Sequence, residues 1–146
     1  MTTIKIQPTE LSEAINIAPL VATSGSAGAD LKANIACTSS ISPSEIKMIP
    51  TGIKIAIPEG YFGLLSVRSG LSKKGICLAN GVGIIDSDYR GEVKIPLINH
   101  SDELYDIQKN ERIAQLILIP YLKVSFEVVE EIDTTTRGSG GFGSTG

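Results

Sequence analysis

Ile53-Lys54-Ile55-Ala56-Ile57 alternates an isoleucine with a charged or small side chain at every step, and Val93-Lys94-Ile95-Pro96-Leu97 repeats the pattern. A period of two puts every second side chain on one face of a pleated strand, so both runs read as half-buried β-strands. Outward from them, further β-rich runs lie at 4–6, 46–49, 63–67, 81–86, 113–119 and 124–129. Turn signals punctuate the runs at Pro43, Pro50-Thr-Gly52, Pro58-Glu-Gly60, Asp88-Tyr-Arg-Gly91, Lys109-Asn110 and Pro120. Many short strands with such spacing predict an all-β barrel or jelly roll. Only Leu71-Ser-Lys-Lys-Gly75 suits a turn of helix, which Gly75 would end, so at most one short helix is expected.

The chain has 146 residues, a hydrophobic fraction of 42%, a charged fraction of 20% and a net charge of −3. That is one domain's length, with enough apolar residues for a core and no run long enough to cross a bilayer. The acidic balance argues against a protein that coats nucleic acid, which carries a basic face for the phosphates. Met1-Thr-Thr-Ile-Lys-Ile6 lacks the basic and apolar segments of a secretory signal, so a cytoplasmic setting is expected. Cys37 and Cys77 are expected to be reduced, buried thiols. The single histidine, His100, lies in a turn-like stretch; most zinc sites and Ser-His-Asp hydrolases need more. What remains is carboxylate, hydroxyl and arginine chemistry.

The last ten residues, Arg137-Gly-Ser-Gly-Gly-Phe-Gly-Ser-Thr-Gly146, combine glycines with an arginine, a phenyl ring and two hydroxyl groups near the end. Glycine lets backbone N–H groups approach an anion, arginine forks onto phosphate oxygens, and a ring can stack on a base. The stretch reads as a nucleotide clamp, beside the plain alternative of a flexible tail. A division into a barrel at 1–133 and a mobile lid arm at 134–146 follows. Residues 138–143 also satisfy G-x-G-x-x-G, but that fingerprint needs a helix after it and only three residues follow Gly143. No Gly-Lys dipeptide occurs, so a Walker-type loop is excluded.

Gly81-Val-Gly-Ile-Ile-Asp-Ser-Asp-Tyr-Arg-Gly-Glu-Val93 reads as a β-hairpin whose turn carries two carboxylates and a tyrosine. Alone, Asp86 and Asp88 would be solvent-facing turn residues. Taken with Ala27-Gly-Ala-Asp-Leu31, Arg68-Ser-Gly-Leu71, Glu111-Arg-Ile-Ala-Gln-Leu116 and the tail, the hairpin resembles the trimeric dUTP diphosphatase (dUTPase) family, all five of whose motifs occur in order.

The resemblance implies a homotrimeric, jelly-roll-like distorted β-barrel of the β-clip type, with three sites shared between subunits and a flexible Gly-rich C-terminal arm. It implies that water attacks the α-phosphorus of dUTP, giving dUMP and pyrophosphate, with Mg2+ on the triphosphate. Asp86 matches the carboxylate that orients and deprotonates the water. Asn80 and the hairpin with Gly83 and Ile85 match the uracil site, and Tyr89 matches the ring under the deoxyribose. Arg68, Ser69 and Gly70 match the phosphate turn, where Ser69 helps to stabilise the leaving pyrophosphate. Gln115 matches a polar group near the phosphates and metal waters, and Asp30 an outer-sphere magnesium residue or a structural carboxylate. In the tail, Phe142 would stack on uracil while Arg137, Gly143, Ser144 and Thr145 would close over the γ-phosphate.

Magnesium keeps much of its water, so the phosphates would be its main ligands. The chain departs from the family pattern at Ala29, Val67 and Asn110, of which Asn110 can take the left-handed turn conformation of a glycine. Two rivals are a dCTP deaminase on the same fold, disfavoured by the Asp-Ser-Asp-Tyr turn, and a non-catalytic nucleotide-binding or partner-binding trimer, disfavoured by Asp86 and the intact tail.

Overall fold

Ile53, Ile55 and Ile57 point inward, each no more than 4% exposed, and Val93, Ile95 and Leu97 of the neighbouring strand are buried in the same core. The computed structural model describes residues 3–9 and 17–143. Its strands are β1 (Lys5–Pro8), β2 (Ala29–Lys32), β3 (Ser39–Ile41), β4 (Ile46–Ala56), β5 (Tyr61–Val67), β6 (Ile76–Leu78), β7 (Gly83–Ile85), β8 (Glu92–Asn99), β9 (Tyr105–Ile107) and β10 (Arg112–Pro120). The one helix among the described residues is the single turn α1 (Ser69–Ser72). It falls beside the expected helical turn, and Gly75 after it has φ +79°. No described helix could cross a membrane.

Two four-stranded antiparallel sheets, in the orders β1-β4-β8-β6 and β2-β10-β5-β7, face each other, with a β3-β9 ribbon at their side. Chain neighbours are dealt to different sheets, which is the jelly-roll arrangement. The core between the sheets is almost purely aliphatic, with Leu31, Ile41, Ile49, Ile76, Ile107 and Ile113 at 1% exposure or less. Each such side chain contributes about 1.5–3 kcal/mol by leaving water. The buried amide of Asn99 joins the ribbon to β8. Its Nδ2 donates to Ile41 O at 2.9 Å and Glu103 O at 2.7 Å, and its Oδ1 accepts from the Ser101 N–H and hydroxyl.

Four sequence expectations are corrected. Pro50-Thr-Gly52 is not a turn between two strands. β4 runs through it, with a shift of register against β8 between Pro50 and Lys54. Short strands also form at β2, β3, β6 and β9, where no alternation is long enough to read. Residues 124–129 join no ladder: the last strand stops at Pro120, Tyr121 N–H donates to Gly60 O, and Leu122, Phe126 and Val128 stand exposed. Finally, Cys37 is exposed and Cys77 half-buried, so neither is a core thiol.

Candidate active site

The register of three strands builds one half of the site. β10 lies between β2 and β5, and Gln115 stands opposite Asp30 on one side and Ser66 on the other. Arg68 follows the end of β5 with an extended backbone, and its carbonyl accepts the N–H groups of Leu71 and Ser72, which starts α1. Arg68 Nε is 2.9 Å from Asp30 Oδ1, and Arg112 Nη1 is 3.1 Å from Asp30 Oδ2. Asp30 is thus a buried carboxylate, 8% exposed, held between two guanidinium groups.

Ser69 and Gly70 are exposed beside this cluster. No protein atom lies within 4 Å of where a Cβ on Gly70 would sit, so the backbone there is open to a ligand. A Cβ on Gly28 would come within 2.9 Å of Gln115 Oε1, so the bare backbone there leaves the amide its present position. Ser26, Gly28, Asp30, Arg68, Ser69 and Gln115 line a cleft of about 460 Å3. Guanidinium, hydroxyl and amide groups converging there suit a polyanion.

The second half is the β7-β8 hairpin. β7 pairs with β5 at Gly83↔Leu65 and Gly63↔Ile85. A Cβ on Gly83 would lie 2.9 Å from Leu65, so glycine lets the strands pack. Ile85 is buried and Asp86 emerges after it, exposed. Tyr89 N–H donates to Asp86 O at 3.2 Å, and Arg90 Nη1 donates to the carbonyls of Ser87 at 2.7 Å and Tyr89 at 2.8 Å, closing the turn. The Tyr89 hydroxyl donates to Glu92 O at 2.9 Å. Leu65, Asn80, Gly83, Asp86, Tyr89 and Lys94 are among the residues lining a cleft of about 430 Å3. Its size and its mix of an aromatic ring, an apolar floor and a few polar groups suit a nucleoside.

The two halves lie apart in one chain: Ser69 and Gln115 line the first cleft, whereas Asn80, Asp86 and Tyr89 line the second. Among the described residues, none of the tail lines either cleft. Arg137 Nε donates to Gly140 O at 2.9 Å, Gly140 N–H donates to Arg137 O, and Phe142 is fully exposed with φ +49°. Gly143 follows with φ +91°, while Ser144 and Thr145 lie outside the described residues. Asn110 has φ +62°, the left-handed conformation expected of it. His100 is exposed.

In the turn between β9 and β10, Glu111 accepts from the Tyr105 hydroxyl at 2.5 Å and from Gln108 N–H at 2.9 Å. Burial, and then the Glu111 carboxylate, push the Tyr105 phenol well above its ordinary range. Sequence reasoning gave no role to Arg112 or Glu92. Arg112 lies 82 positions from Asp30, and nothing in its surroundings along the chain signals the pairing.

An all-β jelly roll with an anion-type cleft at the ends of three strands and a nucleoside-sized cleft in a hairpin belongs with the nucleotide-site β-barrels. The dUTPase family model matches residues 15–146, and the chain belongs to the dUTPase family. It is 50% identical over 137 residues to the deoxyuridine 5'-triphosphate nucleotidohydrolase of Finegoldia magna, covering 93% of this chain and 96% of that one. It is similar to the solved structure of the Staphylococcus bacteriophage 80alpha dUTPase with dUPNHPP, at 29% identity and a TM-score of 0.86, over 100% of this chain and 99% of that one. A mutant dUTPase from phage phi11 of S. aureus, reported for the coordination of a structural Mg(II) ion, is 25% identical with a TM-score of 0.78, over 91% of this chain and all of the other.

Proposed function

We propose that this chain is a dUTP diphosphatase, hydrolysing dUTP to dUMP and pyrophosphate, and so limiting uracil in DNA while supplying dUMP for dTMP synthesis. The observation that carries the reading is the pairing of two half-sites of matching chemistry. One is a guanidinium, hydroxyl and amide cleft fit for a triphosphate, and the other a nucleoside-sized cleft with a carboxylate at its rim.

Asp86 takes the proton of a water aligned with the α-phosphorus, which needs only an ionised carboxylate within hydrogen-bond reach. Asn80 and the main chain at Gly83 and Ile85 read the uracil edge, and a cytosine would leave those partners unpaired once the base covers them. The Tyr89 ring packs under the deoxyribose. Arg68, Ser69 and Gly70 take up the charge that develops on the departing pyrophosphate.

Among the described residues no three His, Cys, Asp or Glu side chains converge on a metal position, and both Asp30 oxygens face guanidinium groups. This donor set would fit a magnesium ion brought in on the substrate's phosphates, with waters that would hydrogen-bond to the Gln115 amide and the Asp30 carboxylate. When bound, magnesium neutralises phosphate charge and orders the triphosphate.

Three chains would share three sites. The separation of the two clefts within one chain supports this, as do the exposed apolar residues from Leu122 to Ile132, which call for cover by another chain. The arm at 134–146 then closes over a neighbour's nucleotide, bringing Arg137, Phe142, Gly143, Ser144 and Thr145 to it. Hydrolysis in 18O-labelled water tests the reaction. Label in dUMP and none in pyrophosphate is expected, and label in pyrophosphate would overturn attack at the α-phosphorus.

A further inference from the structure

We propose that Glu92 is a positioning residue that fixes the Tyr89 ring and so sets how strictly the site excludes a 2′-hydroxyl; the proposal rests on reading Tyr89 as the ring under the sugar. The starting observation is the shift of register in β4. Between Pro50 and Lys54 the strand bulges away from β8, and Gly52 adopts φ +74°. A Cβ on Gly52 would sit 2.4 Å from Asn34 Nδ2, so conformation and space both require glycine.

The bulge is tied to β8 by side chains. Gly52 N–H donates to Glu92 Oε1 at 2.9 Å, and the buried Thr51 hydroxyl donates to Val93 O at 2.6 Å. The carbonyl of the same Glu92 accepts the Tyr89 hydroxyl at 2.9 Å. Glu92 therefore clamps the phenol with its main chain and the bulge with its carboxylate. Between the two, Gly91 has no Cβ; one placed there would meet Tyr89 Oη at 2.3 Å. The ring tip therefore lies directly against the Gly91 backbone.

Tyr89 is 45% exposed, so burial alone does not hold its ring. Rejecting a single added hydroxyl by contact requires a ring that does not yield, and the backbone of Glu92 is as firm as its own anchor at Gly52. Lys94 Nζ, 3.8 Å from Glu92 Oε2 and half exposed, adds little to that anchor. Tyr89, Glu92 and Val93 all line the nucleoside-sized cleft, so a loosened bulge is felt there directly.

The test compares kcat/KM for dUTP and for UTP in the wild-type protein, Glu92→Gln, Glu92→Ala and Tyr89→Ala. Gln keeps the acceptor, and its dUTP-to-UTP ratio is expected to stay within about threefold of wild type. Ala removes the acceptor, and the ratio is expected to fall about tenfold or more, with UTP turnover rising relative to dUTP. An equal fall on both substrates in Glu92→Ala marks a merely structural role and overturns the proposal. A collapsed ratio in Tyr89→Ala beside an unchanged ratio in Glu92→Ala overturns the proposal and leaves the sugar reading intact. An unchanged ratio in Tyr89→Ala overturns both. Should Glu92→Ala not fold, Glu92→Asp, one methylene too short to reach Gly52 N–H, is judged by the same ratios.

Discussion

Asp30 and Arg68 meet at 2.9 Å, carboxylate oxygen to guanidinium nitrogen, joining the edge strand β2 to the turn that lines the guanidinium, hydroxyl and amide cleft. Arg112 holds the other oxygen of Asp30 at 3.1 Å, so the carboxylate cannot turn away from Arg68 without breaking a second contact. Asp30→Asn removes the charge and leaves two guanidinium groups side by side. We expect kcat/KM for dUTP to fall about 10- to 100-fold, roughly 1.4–2.8 kcal/mol of transition-state stabilisation. Stability should fall by about 1–3 kcal/mol, short of the cost of a fully buried pair because both arginines are partly exposed. Steady-state kinetics and urea unfolding check the two numbers.

Gly91→Ala places a methyl group where the Tyr89 hydroxyl lies. The phenol must move, and its bond to Glu92 O breaks. The expected result is about a tenfold loss of kcat/KM with dUTP, with a fall of only a few degrees in Tm for a substitution in an exposed turn. Kinetics beside a thermal melt separate the two effects.

Tyr105→Phe removes the donor to Glu111 and leaves a half-buried carboxylate oxygen short of a partner, at a cost of about 1–3 kcal/mol at pH 7. The native phenol has a raised pKa, by burial first and by Glu111 second, so this contribution is whole below the unfolded tyrosine value of about 10. It is lost as the pH rises from there towards the folded value. The gap in unfolding free energy between wild type and Tyr105→Phe should be flat from pH 7 to about 9 and narrow above it.

Deleting residues 137–146 should abolish pyrophosphate release while the thermal melt stays at the wild-type temperature, since Arg137 and Phe142 contribute nothing to the core. Asp86→Asn should lower turnover by about 10²–10⁴-fold with dUTP binding kept. On the proposal that each site is shared between chains, mixing the two inactive chains should restore part of the activity. Verified mixed trimers with none would contradict shared sites.

The sheets were legible where strands are long and half-buried, as at 53–57 and 93–97, because alternation survives over five residues. It could not show β2 or β6, whose three or four residues are recruited by partners far along the chain. Pro50-Thr-Gly52 misled because glycine with positive φ serves bulges as well as turns. Residues 124–129 have a strand's pattern but run past Pro120 without joining any ladder of their own chain. The motifs singled out Asp86, Tyr89, Arg68, Ser69 and Gln115, which line the two clefts. The supports of that site, Arg112 against Asp30 and Glu92 against Gly52, depend on register and a bulge, which only folding brings together.

The most direct measurement is magnesium-dependent pyrophosphate release from dUTP, dTTP, dCTP and UTP side by side. Rapid release from dUTP is expected, with at least ~100-fold lower kcat/KM for the other three, on the order of what unpaired polar groups and steric exclusion supply. Comparable release from all four, or ammonia from dCTP with no pyrophosphate from dUTP, would contradict the proposed function.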